Sequence, residues 1–82
     1  MTKKDLTTMA KALFKKDAVC YDFSATSETD IEITVKWGDW KHEHLYIEHV
    51  MKSNGFIQID ERTTEEDGSD CYSAVHTFRY LN

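Results

Sequence analysis

The residues of this chain that could do chemistry are concentrated in one stretch, His42-Glu43-His44-Leu45-Tyr46-Ile47-Glu48-His49. Imidazole and carboxylate groups on a helix can bind one metal ion when they lie three or four residues apart, and His44 and Glu48 meet that rule. His42 and His49 are too far apart to share an ion, since their separation is about 10 Å along a helix axis. No third ligand is indicated elsewhere, so we predict no metal site and no cofactor.

Nothing else in the sequence indicates catalysis. Cys20 and Cys71 lie neither in a CxxC motif nor beside a histidine, and no glycine-rich phosphate loop is present. The neighbouring carboxylates Glu65 and Glu66 fall in a polar turn, where nothing would raise their pKa for acid–base work. We therefore predict a protein that is not an enzyme. The N-terminus lacks the apolar core of a signal peptide, which predicts a cytoplasmic protein with reduced thiols, although the two cysteines could pair.

The histidine-rich stretch has a second interpretation as a contact surface. On a helix, His42, Leu45 and His49 line up on the side opposite the apolar face. An exposed leucine between two imidazoles is a possible contact patch for another protein, and we keep it as a secondary candidate. A solvated helix face with incidental histidines is the alternative.

The charge of the chain is divided unevenly along its length. The chain has 82 residues and a formal net charge of −5. Residues 1–17 hold five lysines against two aspartates, a balance of +3, and the rest holds five cations against thirteen carboxylates, a balance of −8. Such an acidic region repels nucleic acid and attracts basic protein surfaces. Simple solubility is an alternative explanation of the same charge.

Hydrophobic periodicity predicts a single domain, 1–82, with two helices and two hairpins. Thr2 and Asp5 have the spacing of a capping box, and an apolar stripe from Leu6 to Phe14 predicts a helix over about 2–16. Alternation beginning at Val19 predicts a hairpin over about 18–37. A second helix over about 39–54 ends where Gly55 supplies a left-handed residue, and a second hairpin follows over about 56–81.

This order, αββαββ, predicts an α+β fold in which two helices pack on one face of a four-stranded, mainly antiparallel sheet. The composition agrees with a globular chain, since 40% of the residues are hydrophobic and 30% are charged. No apolar run is long enough to span a membrane. Strand order cannot be read from the alternation alone.

Function is therefore predicted from charge. Surface carboxylates can occupy lysine and arginine sites that otherwise bind a phosphate backbone. The candidate partner-binding residues are Glu32, Asp60, Glu61, Glu65, Glu66, Asp67 and Asp70. In size, acidity and lack of catalytic residues, though in no motif, the chain resembles the compact acidic inhibitors that phages and mobile elements use against host nucleases, including anti-CRISPR proteins. The resemblance implies a partner with a basic, nucleic-acid-binding surface and a place in the host cytosol.

Two other functions remain open at this point. The lysine-bearing first helix of one copy could meet the acidic turn of another, which would make the chain a self-associating structural or regulatory protein, such as a homodimer. Alternatively, that basic helix could bind single-stranded nucleic acid, with bases stacking on sheet aromatics. The acidic excess of the strands makes direct nucleic-acid binding the weaker of the two.

Overall fold

A computed structural model describes residues 1–36, 40–65 and 72–81, with the backbone alone described at 36, 40–44, 63–65 and 72–73. The chain forms helix α1 (Lys3–Phe14), a 3-10 segment (Lys15–Cys20), strands β1 (Tyr21–Ala25) and β2 (Asp30–Lys36), helix α2 (Trp40–Lys52), and strands β3 (Phe56–Glu65) and β4 (Tyr72–Tyr80). This arrangement confirms the predicted α+β fold and its αββαββ order.

The four strands form one antiparallel sheet in the order β1-β2-β4-β3. The hairpins β1–β2 and β3–β4 meet through β2 and β4, so β4 lies between β2 and β3. Helix α2 connects β2 to β3, and these two strands run parallel to each other because both are antiparallel to β4. As a result, β1 and β3 form the two edges of the sheet.

Both helices pack on the same face of the sheet, which we call the covered face. Side chains in a strand alternate between faces, and Ile31, Ile33 and Val35 of β2 are buried in the core. The other core side chains come from the helices and the remaining strands: Leu6, Ala10, Phe14, Tyr21, Ile47, Met51, Phe56 and Phe78. No described helix covers the second face, which therefore consists of the intervening, mainly polar residues.

The first helix begins at the capping box that the sequence predicts. The Thr2 hydroxyl accepts a hydrogen bond from the Asp5 backbone N–H at 3.1 Å, and the Asp5 carboxylate accepts one from the Thr2 N–H at 3.4 Å. The helix ends at Phe14, where Lys15 takes a positive φ of 55°. Val19 does not continue the strand pattern as expected: it lies in the 3-10 segment and is 89% exposed, and β1 starts at Tyr21.

The second helix ends at Lys52, slightly before the predicted end near Asn54, and the predicted left-handed glycine lies in the turn that follows. Gly55 has a φ of +88°, which a side chain at this position would disfavour, and the Leu81 N–H donates to its carbonyl at 3.0 Å. The Asn54 side chain donates to the Val50 carbonyl at 2.7 Å and satisfies a group in the last helical turn. Within the described residues, neither helix has the length and apolarity needed to cross a bilayer.

Candidate functional site

The second face of the sheet, which we call the open face, collects charged groups from all four strands. Alternation along β2 places Asp30, Glu32 and Thr34 on this face, because their neighbours Ile31, Ile33 and Val35 are buried. Residues that pair directly across neighbouring strands point to the same face, so the register of the other strands identifies the remaining residues of this face. The open face comprises Asp22 and Ser24 of β1, Asp30, Glu32 and Thr34 of β2, Val75, Thr77 and Arg79 of β4, and Ile57, Asp60 and Arg62 of β3.

Asp30 and Arg79 form a two-point ion pair at one end of the open face. Arg79 Nε lies 2.9 Å from Asp30 Oδ1, and Arg79 Nη2 lies 3.0 Å from Asp30 Oδ2. This hydrogen bonding by Arg79 is the main cause that holds the pKa of Asp30 below its ordinary value of 3.8, with a further bond from the Thr29 hydroxyl. The same contact raises the pKa of Arg79. Two facing residues of neighbouring strands are thereby fixed in position.

Arg62 joins two of the predicted partner-binding residues near the centre of the open face. Its Nη2 lies 3.2 Å from Glu32 Oε1, and its Nε lies 3.5 Å from Asp60 Oδ2. Glu32 is on β2 and Asp60 on β3, so the contact crosses β4, where Thr77 pairs with both acids. Arg62 is 61% exposed, and an ion pair this exposed contributes about 0.5 kcal/mol or less to stability. Its consequence is to hold two carboxylates together at the surface.

A β-bulge decides which acid of β3 reaches the open face. The register of β3 against β4 shifts between Gln58 and Asp60. Asp60 then pairs with Thr77 on the open face, whereas Glu61 pairs with the buried His76 and lies on the side of the helices. The predicted neighbours Asp60 and Glu61 are therefore on opposite faces of the sheet.

The other predicted acids are only partly described. Glu65 ends β3, paired with Tyr72, and only its backbone is described. Glu66, Asp67 and Asp70 lie outside the described residues. Their contribution to a partner-binding surface therefore stays a prediction.

The secondary candidate patch on α2 is described at two of its three residues. Leu45 is 62% exposed and His49 is exposed, as expected for a side of α2 that faces away from the core. His42 lies in the same helix, but its side chain is outside the described set. The buried face of α2 carries Ile47 and Met51. The role of this patch as a contact surface stays a prediction.

Among the described residues, the covered face carries one fully buried polar side chain, His76. Its ring is fully buried, and its Nδ1 lies 3.3 Å from the Gln58 amide nitrogen. This pair is internal to the protein and agrees with a structural role for the imidazole. Among the described residues, no group of three or more histidine, cysteine, aspartate or glutamate side chains is placed to hold a metal ion.

Sequence reasoning missed several residues of the open face. Asp22 could have been found, because it alternates with Tyr21 and Phe23 in the first predicted strand. The two arginines could not have been assigned, because their partners depend on β4 lying between β2 and β3. The strand order therefore determines which carboxylates form ion pairs with Arg62 and Arg79.

The described charges leave the open face acidic. The side chains described there include the acids Asp22, Asp30, Glu32 and Asp60 and the cations Arg62 and Arg79, which sum to a formal charge of −2. Lys36 at the end of β2 is not counted, because its side chain is outside the described set. The exposed lysines of α1 lie on the side of the sheet that the helices cover. The helical side also carries carboxylates, among them Glu48 and Glu61, whereas the described charges of the open face lie on a sheet surface with cross-strand ion pairs. In comparisons with known proteins, no family model, no curated protein and no solved structure matches this chain.

Proposed function

We propose that this chain is a small non-enzymatic binding module whose open face docks onto a basic, nucleic-acid-binding surface of another protein. The observation that supports the proposal is the Glu32–Arg62–Asp60 cluster on a sheet face that no described helix covers. Arg62 contacts both carboxylates, which favours arrangements in which the two acids lie close together. A charge pattern that is complementary to the partner's favours fast association and specific recognition.

The placement of the aromatic side chains favours a protein partner over nucleic acid. Proteins that bind single strands on a sheet stack bases on exposed aromatic rings. The strand aromatics whose side chains are described all belong to the core on the covered face or pack against it: Tyr21, Phe23, Phe56, Phe78 and Tyr80. An acidic face without a described ring for stacking would repel phosphates and offer bases little contact.

In this proposal the chain acts as a competitor of nucleic acid. Lysine and arginine side chains that contact phosphates would instead contact Asp22 of β1, Glu32 of β2 and Asp60 of β3, which lie on one face of the sheet. Compact acidic inhibitors carried by phages and mobile elements act on host nucleases, and we place this chain in that functional class and in the host cytosol. Binding would be strongest at low salt and would weaken as exposed charges are screened.

The test is capture from a host lysate on the tagged protein, followed by competition. The proposal expects a nucleic-acid-handling protein that is retained at low salt and released by high salt. It also expects the partner's own DNA or RNA to displace the chain. If nucleic acid fails to separate the chain from the captured protein, the competition mechanism is contradicted. If the chain captures only a second copy of itself, self-association is favoured instead.

Two variants of equal net charge test the assignment to the open face. Glu32→Gln/Asp60→Asn removes two charges from this face, whereas Asp17→Asn/Glu28→Gln removes two charges elsewhere. In the control, Asp17→Asn keeps a side-chain oxygen that can accept a hydrogen bond from the Tyr46 hydroxyl, which lies 3.1 Å from the Asp17 carboxylate. We expect affinity for the captured partner to fall at least about tenfold in the open-face variant and less than about threefold in the control. Equal losses would place the contact elsewhere.

A further inference from the structure

The open face carries two arginines, and the structure holds them differently. Arg79 meets Asp30 at two points, with Nε 2.9 Å from Oδ1 and Nη2 3.0 Å from Oδ2. Arg62 makes one contact to each of two acids, at 3.2 Å to Glu32 and 3.5 Å to Asp60. The Arg62 side chain is 61% exposed, whereas the Asp30 side chain is only 17% exposed. A two-point pair fixes its geometry, but two single contacts at an exposed surface do not, so Arg62 is the more loosely held arginine.

The position of Arg62 in the sheet also allows its side chain to leave. Arg62 lies on the edge strand β3, which in the described sheet pairs with β4 alone, so no further strand there limits an outward rotation. Arg79 lies on β4, between two strands, and is directly opposite Asp30 in the register with β2. Moving the Arg62 side chain into water would break only exposed contacts, whose gain is largely offset by the entropy of ordering a long side chain.

The two acids do not depend on Arg62 for their place on the open face. Glu32 and Asp60 both pair with Thr77, from opposite sides of β4, and this register belongs to the backbone of the sheet. The contact with Arg62 brings the two side chains closer, but strand pairing already sets the positions of their backbones. Arg62 does reduce their charge, because the three groups together carry −1 where the two acids alone would carry −2.

A basic side chain of a docking partner would compete with Arg62 for the same oxygens. The Arg62 contacts show that one guanidinium can reach Glu32 and Asp60 at once. While Arg62 is in place, a second cation that approaches these acids meets a like charge at close range, and like charges repel. Displacing Arg62 removes that repulsion and gives the partner both carboxylates.

We propose that Arg62 is a displaceable internal counter-ion that weakens docking on the open face. A lysine or arginine of the partner replaces it between Glu32 and Asp60, while Arg79 stays on Asp30. This inference rests on the proposed function and adds to it a competitor of the partner within the free protein itself. An ordering role for Arg62 predicts the opposite, since its loss would then weaken docking. The sign of the change in affinity when Arg62 is neutralised decides between the two.

The first test titrates the ¹⁵N-labelled protein with a terminally blocked tetra-arginine peptide at low salt. The chain has two arginines, so its two arginine Nε–Hε signals can be assigned with Arg62→Lys and Arg79→Lys. We expect the peptide to shift the Arg62 signal and to speed exchange of its Hε with water, while the Arg79 signal keeps its position and exchange rate. Binding that leaves the Arg62 signal unchanged, binding that releases Arg79 equally, or no binding at about 10 mM peptide overturns the proposal.

The second test measures affinity for the captured partner. Neutralising the like charge in Arg62→Gln should tighten binding about threefold or more, and Arg62→Lys, which keeps the charge, should stay within about twofold of wild type. Lys11→Gln removes the same charge from an exposed position of α1 and should change affinity less than about twofold. Weaker or unchanged binding of Arg62→Gln overturns the proposal. If Glu32→Gln/Asp60→Asn loses affinity while Arg62→Gln gains none, the proposed function stands and this inference fails; if neither variant changes affinity, the proposed function fails as well.

Discussion

The buried Phe14 ring of α1 contacts side chains of both β1 and α2, so its replacement should lower the stability of the fold by an amount that can be estimated. The side chain is 1% exposed and makes ring contacts with three aromatic neighbours. Its ring centroid lies 5.4 Å from Tyr21, 5.7 Å from Phe23 and 5.8 Å from Tyr46. Truncating a buried phenylalanine to alanine costs about 3–5 kcal/mol, because apolar burial is lost and a cavity remains.

That cost is large against the stability of so small a domain. A chain of 82 residues is stable by roughly 4–12 kcal/mol, so Phe14→Ala should leave little or no folded protein at the low end of that range. Phe14→Leu keeps most of the volume but loses the ring contacts, and we expect a cost of about 1–2 kcal/mol. The leucine variant keeps the prediction measurable if the alanine variant does not fold.

Urea unfolding followed by circular dichroism measures both variants. With an m-value of about 1 kcal/mol per molar urea, Phe14→Ala should lower the midpoint by roughly 3 M or more, and Phe14→Leu by about 1–2 M. Val19→Ala is the control, since an 89% exposed valine should change stability by no more than about 0.5 kcal/mol. A loss below about 1.5 kcal/mol in Phe14→Ala would refute the placement of this ring at the junction of α1, α2 and β1.

Three further variants test local features of the fold. Gly55→Ala should cost about 1–2 kcal/mol by urea unfolding, because φ is +88° and an added Cβ would lie 3.3 Å from the Tyr80 ring; an unchanged midpoint would contradict this conformation. Thr2→Ala should cost about 0.5–2 kcal/mol and lower helical ellipticity, and Thr2→Ser should restore both. Asp30→Asn tests pH dependence. Since pairing with Arg79 lowers the folded-state pKa of Asp30, its stabilisation is present above pH 3.8 and is lost as pH falls through the lowered value. The variant should therefore be less stable than wild type at neutral pH, and the difference should shrink at pH values below 3.8; a pH-independent difference would contradict the pairing.

The parts of the fold that depend on local chemistry could be predicted from sequence. The capping box at Thr2, the apolar stripe of α1 and the left-handed Gly55 each depend on a few neighbouring residues, and the structure has all three. The prediction that the first hairpin includes Val19 was wrong, because residue type alone does not distinguish a valine that precedes a strand from one within it. Its true position depends on where α1 ends, at the positive φ of Lys15.

The site was less predictable, because it depends on contacts between distant segments. Unbroken alternation from Phe56 would put Asp60 on the covered face and Glu61 on the open face, and the bulge exchanges the two. Placing Glu32 beside Asp60 further requires β4 to lie between their strands, which neither hairpin reveals by itself. The sequence thus identified two carboxylates of the open face but not the arginine that joins them.

The most direct test of the central claim is the footprint of the captured partner on the chain, measured from amide signals of the ¹⁵N-labelled protein. Docking on the open face predicts that the largest changes lie at Asp22, Glu32, Asp60 and Arg62, together with Thr77 between the two bridged acids. Changes confined to α1, or to the exposed side of α2 around Leu45 and His49, would contradict the claim and assign recognition to the helical side of the protein.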